Sequence, residues 1–243
     1  MDLSGKVTLV TGAARGLGRA TADALSQAGA QVAAHQRAGG DFAADLSRPE
    51  AAAALVAAVV ARFGRIDFLV NNAALTPANP LRDAPDAAAA SFQRADAEAG
   101  FDPALFDAAI AVNLRAPLQL ALAAAPHGLE AVVNVGSGST ERGDGSSAYF
   151  VLSKGAIPTL TRYLARRLAP AVRVNALMPG LFATEQLAGR GAPFRPLQAE
   201  IIRRTPMGRL GKPEEAAETI LFLLAGNTFI TGEVLFLDGG WHL

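Results

Sequence analysis

The sequence predicts an α/β fold: a doubly wound, mostly parallel sheet of seven strands with helices on both faces. Three observations lead there. Short β-branched apolar runs alternate with longer alanine-rich stretches of helical length along nearly all of the 243 residues. The short runs are apolar at almost every position, as expected of parallel strands covered on both faces. A glycine-rich turn follows the first run directly and opens the first helical stretch.

In chain order, strand Val7 to Val10 leads into a helix over Gly16 to Ala28, then strands Gln31 to His35 and Phe42 to Asp45. The gap Gln36 to Asp41 is too short for a helix, so Gly39-Gly40 is read as a tight crossover. A helix over Pro49 to Phe63 precedes strand Phe68 to Asn71. Thr76 to Gly100 breaks the alternation, because Pro77, Pro80, Pro85 and Gly100 surround the low-complexity run Ala87 to Ala90. It is expected to be an excursion near the carboxyl edge of the sheet. Helix Asp102 to Ala125, strand Ala131 to Val135, the amphipathic helix Ser147 to Leu168 and strand Arg173 to Leu177 restore the pattern. Glu185 to Met207, with Arg190, Arg195, Arg203 and Arg204 among two glycines and three prolines, is expected to be a lid over a site. Helix Pro213 to Leu224 and strand Val234 to Leu237 complete the set, and right-handed βαβ units connect it.

Composition narrows the possibilities. With 51% hydrophobic and 18% charged residues, the chain is expected to form a single domain with a well-buried core. Its 22 basic and 22 acidic residues cancel, so no overall field draws nucleic acid or an anionic membrane. The absence of cysteine excludes disulfides and thiol catalysis. No uninterrupted apolar run nears the ~18 residues of a membrane helix, and no basic segment with an apolar core opens the chain, so a soluble, cytoplasmic protein is expected. His35, His127 and His242 are isolated, without metal-ligand spacing, and no metal site is expected.

The first motif with chemistry is Thr11-Gly12-Ala-Ala-Arg15-Gly16-Leu17-Gly18. At a strand-to-helix turn, such glycines let a pyrophosphate approach the backbone closely, and the helix N-terminus offers free N–H groups and a partial positive charge. Further pieces are Asp45-Leu46, Asn71-Asn72-Ala73, Asn113 in Val112-Asn-Leu-Arg-Ala-Pro117, Ser137, Lys154, Pro179-Gly180 and the ending Thr231 to Gly240. Together they resemble the short-chain dehydrogenase/reductase family over almost the full length. Within it, Arg204-Thr-Pro-Met-Gly-Arg209-Leu-Gly211 and the long stretch after Asn72 are similar to pteridine reductases, although Ser137 is the ordinary family residue and pteridine reductases have aspartate there.

The resemblance implies a Rossmann-type fold, a nicotinamide cofactor, a small-molecule substrate and a homo-oligomer, tetramer or dimer. It places the adenine at Asp45-Leu46, the second ribose at Asn72-Ala73 and the nicotinamide beside Pro179, Gly180 and Leu181 to Thr184. Ala74 stands where glycine is commoner. An acidic residue ending the second strand would select NAD; here Gln36 holds that position, Arg37 follows, and Arg15 lies in the glycine loop. Two guanidinium groups aimed at a 2'-phosphate favour NADP (NADPH).

The family pattern is a serine, a tyrosine thirteen positions on, and a lysine four beyond. Ser137 and Lys154 keep the overall spacing, but the position between them is Phe150, and Tyr149 lies one residue early. On a helix, residues four apart differ by about 40° and residues five apart by about 140°, so Tyr149 is expected to point away from Lys154. In the family, Ser137 would hold the substrate carbonyl, the lysine and the cofactor ribose would lower the phenol pKa, and Asn113 would hold a water linked to the lysine. Phe150 cannot exchange a proton. Four readings stay open: a π-type bulge that brings Tyr149 round to Lys154; a reductase inactivated by a tyrosine-to-phenylalanine change; reduction of an already protonated imine; or a non-redox cyclase, dehydratase, isomerase or ligand-binding protein on the same scaffold. Asp144 is near enough in sequence to be a substitute donor, and a loop turn is its ordinary role.

Overall fold

Burial grades the strands from centre to edge. In the computed structural model, which describes residues 1–76, 101–143, 145–189 and 194–243, β1 (Val7–Val10), β4 (Phe68–Asn71) and β5 (Ala131–Val135) are buried at every position. β6 (Arg173–Pro179) is buried at all but its first residue. β2 (Gln31–Gln36) alternates, and β3 (Phe42–Ala43) and β7 (Val234–Leu237) are half-exposed. The strand order accounts for this grading: β3-β2-β1-β4-β5-β6-β7, parallel throughout. Apolar strands must be covered on both faces, and they are. Leu9, Leu69 and Val132 face α2 (Ala51–Phe63) and later helices, while Val10, Val70 and Val133 face α1 (Gly16–Gln27).

The predicted elements are present, with three differences. β3 is only two residues long, because Gly39 and Gly40, both at positive φ, turn the chain so tightly that pairing starts at His35 with Phe42. The predicted helix over Asp102 to Ala125 is a helical run from Pro103 to His127, made of α3 (Pro103–Ile110), a π-helical turn (Ala111–Arg115), α4 (Ala116–Ala124) and a 3-10 turn. Asp102 caps it by accepting from the Ala104 and Leu105 amides at 2.9 and 3.3 Å. By length and composition this run meets the requirements of a membrane span, which the sequence reading did not expect; here Ala116, Leu120, Ala121 and Ala124 pack on the sheet. Finally, the predicted helix Ser147 to Leu168 is two: α5 (Ala148–Gly155) and α6 (Ile157–Leu168). The break falls where Pro158, lacking an N–H, takes a first-turn position of α6.

Beyond β6 come α7 (Glu185–Ala188), α8 (Arg195–Arg204), α9 (Pro213–Leu221) and a second π-helical turn (Phe222–Gly226). The expected lid contains α7 and α8, and Arg190 in it lies outside the described residues. So do Asp144 and, apart from Thr76, the expected excursion 76–100. Strand order reverses direction between β1 and β4, so loops leaving the carboxyl ends of these strands diverge and leave a crevice between them.

Candidate active site

A cavity of about 820 Å³ opens at this edge. The expected cofactor residues meet on it: Gly12 and Arg15 to Gly18 of the glycine loop, Gln36 and Arg37 after β2, Asp45 and Leu46, Asn72 and Ala73 after β4, Lys154, and Pro179 to Phe182 with Thr184 after β6, Ala183 alone of that loop lying off the wall. Ser137 and Phe150 line it too, whereas Asn113 and Tyr149 do not.

The glycine loop is shaped by contacts that exclude side chains. A Cβ on Gly18 would lie 2.2 Å from the Gly12 carbonyl oxygen, and one on Gly12, at φ +67°, would lie 2.9 Å from Ala73 Cα. Thr11 is the hub: its hydroxyl accepts from the Asn72 and Ala73 amides, both at 3.0 Å. Asn72 donates its side-chain amide back to the Thr11 and Gly12 carbonyls at 2.9 and 3.1 Å, so it braces the loop while also facing the cavity. The N-terminus of α1 has no side-chain cap and no acidic residue in its first turn. The Gly16 amide donates to the Glu185 carboxylate at 3.3 Å. First-turn amides with no local side-chain cap, lining a cavity beside a side-chain-free turn, fit a dinucleotide pyrophosphate once the Glu185 carboxylate leaves the Gly16 amide.

His35, read in the sequence only as an isolated histidine, joins two walls of this end. Its Nδ1 accepts from the Gly12 amide at 3.2 Å and its Nε2 donates to the Ala44 carbonyl at 3.0 Å. Those partners require the neutral ring, and burial holds its pKa below the usual histidine value. Thr11 and His35 carried only weak signals, a hydroxyl before the first glycine and a polar residue ending an apolar strand. Arg37 is exposed and pairs with Asp45 at 3.6 Å; Asp45 is held below the usual carboxylate range by the Ser47 hydroxyl and amide.

At the inner end, α5 is a regular α-helix started by Ser147, whose hydroxyl accepts from the Phe150 amide at 3.2 Å. Phe150 and Lys154, one turn apart, both reach the cavity. Tyr149 turns away, as its helical angle requires: it is buried against Phe101, with ring centres 5.6 Å apart, and its hydroxyl accepts from the Asp102 amide at 2.7 Å. This corrects the candidacy of Tyr149 as a catalytic group, and α5 has no π bulge to bring it round. The Lys154 ammonium is buried and donates to the Val135 carbonyl at 2.6 Å. It forms no ion pair among the described residues, and burial pushes its pKa down to about 8. The Ser137 hydroxyl lies 2.9 Å from that of Ser139.

Asn113 sits in the π-helical turn, behind the cavity wall. It accepts from the Leu75 amide at 2.7 Å and donates to the Leu75 carbonyl and the Ser153 hydroxyl, both at 2.9 Å. Its amide thus joins the segment after β4 to the helix that carries Lys154, a position behind the cavity where the family resemblance had implied a water-holding residue at the site. No group of three or more potential metal ligands occurs among the described residues. Of the titratable side chains on the cavity wall among the described residues, Lys154 is the one at the inner end; Arg15, His35, Arg37 and Asp45 all lie toward the ends of β1 to β3.

Comparison with known proteins gives the family. A family model described as enoyl-(acyl carrier protein) reductase matches residues 12–242. The 3-oxoacyl-(acyl-carrier-protein) reductase FabG of Thermotoga maritima is 32% identical over 266 residues, covering 99% of each chain. Among solved structures, a short-chain glucose/ribitol dehydrogenase from Brucella melitensis superposes with a TM-score of 0.84 at 29% identity, covering both chains completely. A short-chain dehydrogenase from Burkholderia cenocepacia in complex with NADP gives 0.83 at 28%, again over both full chains. The chain therefore belongs to the short-chain dehydrogenase/reductase family, whose members are oxidoreductases that use nicotinamide cofactors.

Proposed function

We propose that this protein is an NADP(H)-dependent oxidoreductase that reduces a small carbonyl or imine compound with an altered proton donor, and that residues 1–243 act as one dinucleotide-binding unit. The observation that carries the reading is the cavity, which joins an intact dinucleotide end to an inner end where Phe150 replaces the family's phenol. The solved relative that holds NADP supports the cofactor choice. So do Arg15 and Arg37 on the cavity wall, where each offers a planar fork to a phosphate.

When bound, a reduced nicotinamide supplies a hydride. The chain's own residues do the rest. The amides of α1 would hold the pyrophosphate, Asp45 and Leu46 would flank the adenine, and Pro179 to Phe182 with Thr184 would border the nicotinamide. Ser137 donates a hydrogen bond to the substrate oxygen or nitrogen. Phe150 closes the wall with an apolar ring and excludes water. Lys154 would carry the proton: its ammonium would give one to the substrate oxygen, and the resulting amine would be recharged from solvent. An amine with a pKa near 8 holds that proton loosely enough to give it up near neutral pH. A protonated imine needs only the hydride, which makes it the least demanding substrate. Exposed Leu122, Leu152 and Tyr163 on α4, α5 and α6 support assembly with further copies of the chain, in line with the family's homotetramers. A cytoplasmic setting is part of the same reading.

Titration of NADPH and NADH, followed by their fluorescence, tests this. NADPH is expected to bind more tightly, with Arg37→Ala removing about tenfold of that preference while leaving NADH unchanged. Equal affinity for both, or binding of neither, overturns the cofactor reading. Binding with no turnover of any member of a carbonyl and imine panel overturns the reductase reading in favour of a non-redox activity.

A further inference from the structure

The turn that follows β7 makes contacts out of proportion to its size. The Asp238 side chain is buried, 2% exposed, and its carboxylate accepts from the Gly240 and His242 amides, each at 2.9 Å, with the His242 ring Nδ1 at 2.8 Å. The His242 ring stacks on Phe236 with centres 4.0 Å apart. This self-closed turn then touches three segments that carry the cavity. A Cβ on Gly180 would lie 2.7 Å from Asp238 Cβ, so Asp238 abuts the loop after β6. A Cβ on Gly138 would lie 3.2 Å from Asp238 Oδ2, so the same carboxylate abuts the loop that carries Ser137. The Gly239 carbonyl accepts from the Met207 amide at 3.1 Å, and Gly240 presses on Pro206, which ties down the chain beyond α8. Outside these, the Arg142 guanidinium lies 4.8 Å from the centre of the Trp241 ring.

We infer that Asp238 is a positioning residue: with Trp241 and His242 it forms a clasp that sets the loops bearing Ser137, Gly180 and Met207 at the inner end of the cavity. The inference rests on the cofactor reading above only for its choice of ligand. Asp238 touches no residue of the glycine loop among the contacts described, so its effect is confined to the nicotinamide and substrate end. Trp241 is the chain's single tryptophan, and its contact with Arg142 makes its emission a direct report on the Ser137 loop.

Asp238→Asn preserves size but turns an NH2 group toward one of the N–H donors. Three measurements follow it: NADPH affinity, affinity for adenosine 2',5'-bisphosphate, which fills only the adenosine end, and acrylamide quenching of Trp241 without nucleotide. The variant is expected to bind NADPH roughly tenfold more weakly, to bind the bisphosphate as the parent does, and to show Trp241 quenching raised by about a factor of two. Equal weakening of both ligands would mean general destabilisation and overturn the inference, as would no change in any of the three. If Asp238→Asn does not fold, His242→Phe, which keeps the stack on Phe236 and loses the bond to Asp238, carries the same test with a smaller shift of about threefold. Should the parent protein bind neither nucleotide, the cofactor reading fails, and the clasp is decided by Trp241 quenching alone.

Discussion

The adenosine end and the inner end of the cavity are built from different materials. At the adenosine end, the groups that face a ligand are main-chain amides of α1, a turn whose glycines leave no room for a Cβ, and a loop braced by Thr11, Asn72 and His35. Its shape belongs to the fold, and several groups share the task of binding. At the inner end, the groups that face a ligand are the single side chains of Ser137, Phe150 and Lys154, and one of these is an apolar ring. A change at the inner end leaves the adenosine end in place, because the two ends depend on different atoms.

The sharpest way to break this contrast is Phe150→Tyr. It restores a phenol one helical turn from Lys154, and carbonyl reduction is expected to rise by roughly 100-fold to 10,000-fold with NADPH affinity unchanged. A rate that stays at the parent level would mean that a phenol at position 150 adds nothing to the proton donation the reaction already has. Next in size is the pH dependence of the parent. The folded pKa of Lys154 is lowered to about 8, so the ammonium is present below that value and lost above it. Turnover of a carbonyl substrate is expected to fall by about tenfold per unit above pH 8. A flat profile from pH 7 to 10 would remove Lys154 as the proton source, and a profile that tracks the substrate's own imine pKa would favour imine reduction. The smallest effect belongs to Tyr149→Phe. It leaves the Asp102 amide without its 2.7 Å partner, with an expected loss of about 1 kcal/mol in a denaturation experiment and no change in turnover. A collapse of activity would place Tyr149 in the reaction after all.

The scaffold was legible in the sequence because its signals are local. Apolar runs gave the strands, and a glycine turn between strand and helix marked the cofactor end. The position of Tyr149 followed from helical angle alone. What stayed hidden depends on partners distant in sequence. The π-helical turn at Ala111–Arg115 turns Asn113 toward Leu75 and Ser153, thirty-eight and forty residues away, and no local pattern announces it. His35 becomes meaningful only once β1 and β2 lie side by side and its ring meets the Gly12 amide. The split between α5 and α6 was within reach, since Pro158 was visible, but helical periodicity continues across it. Asp238 gave no sign beyond its family motif, because its neighbours Gly138 and Gly180 come from two other loops.

The parallel pairing of β6 with β7 also bears on how the molecule comes together. Val234 lies beside Ala176 across a long intervening segment, and parallel pairings of such separation close slowly, since the loop entropy is lost before the contacts reward it. β1 meets β2 over a much shorter span. The adenosine end can therefore take shape while the last strand is still undocked, whereas the wall beneath Ser137 and Gly180 cannot. A refolding time course should show nucleotide-fragment binding before Trp241 reaches its native emission, with an interval during which apolar β6 offers an unpaired edge to other chains.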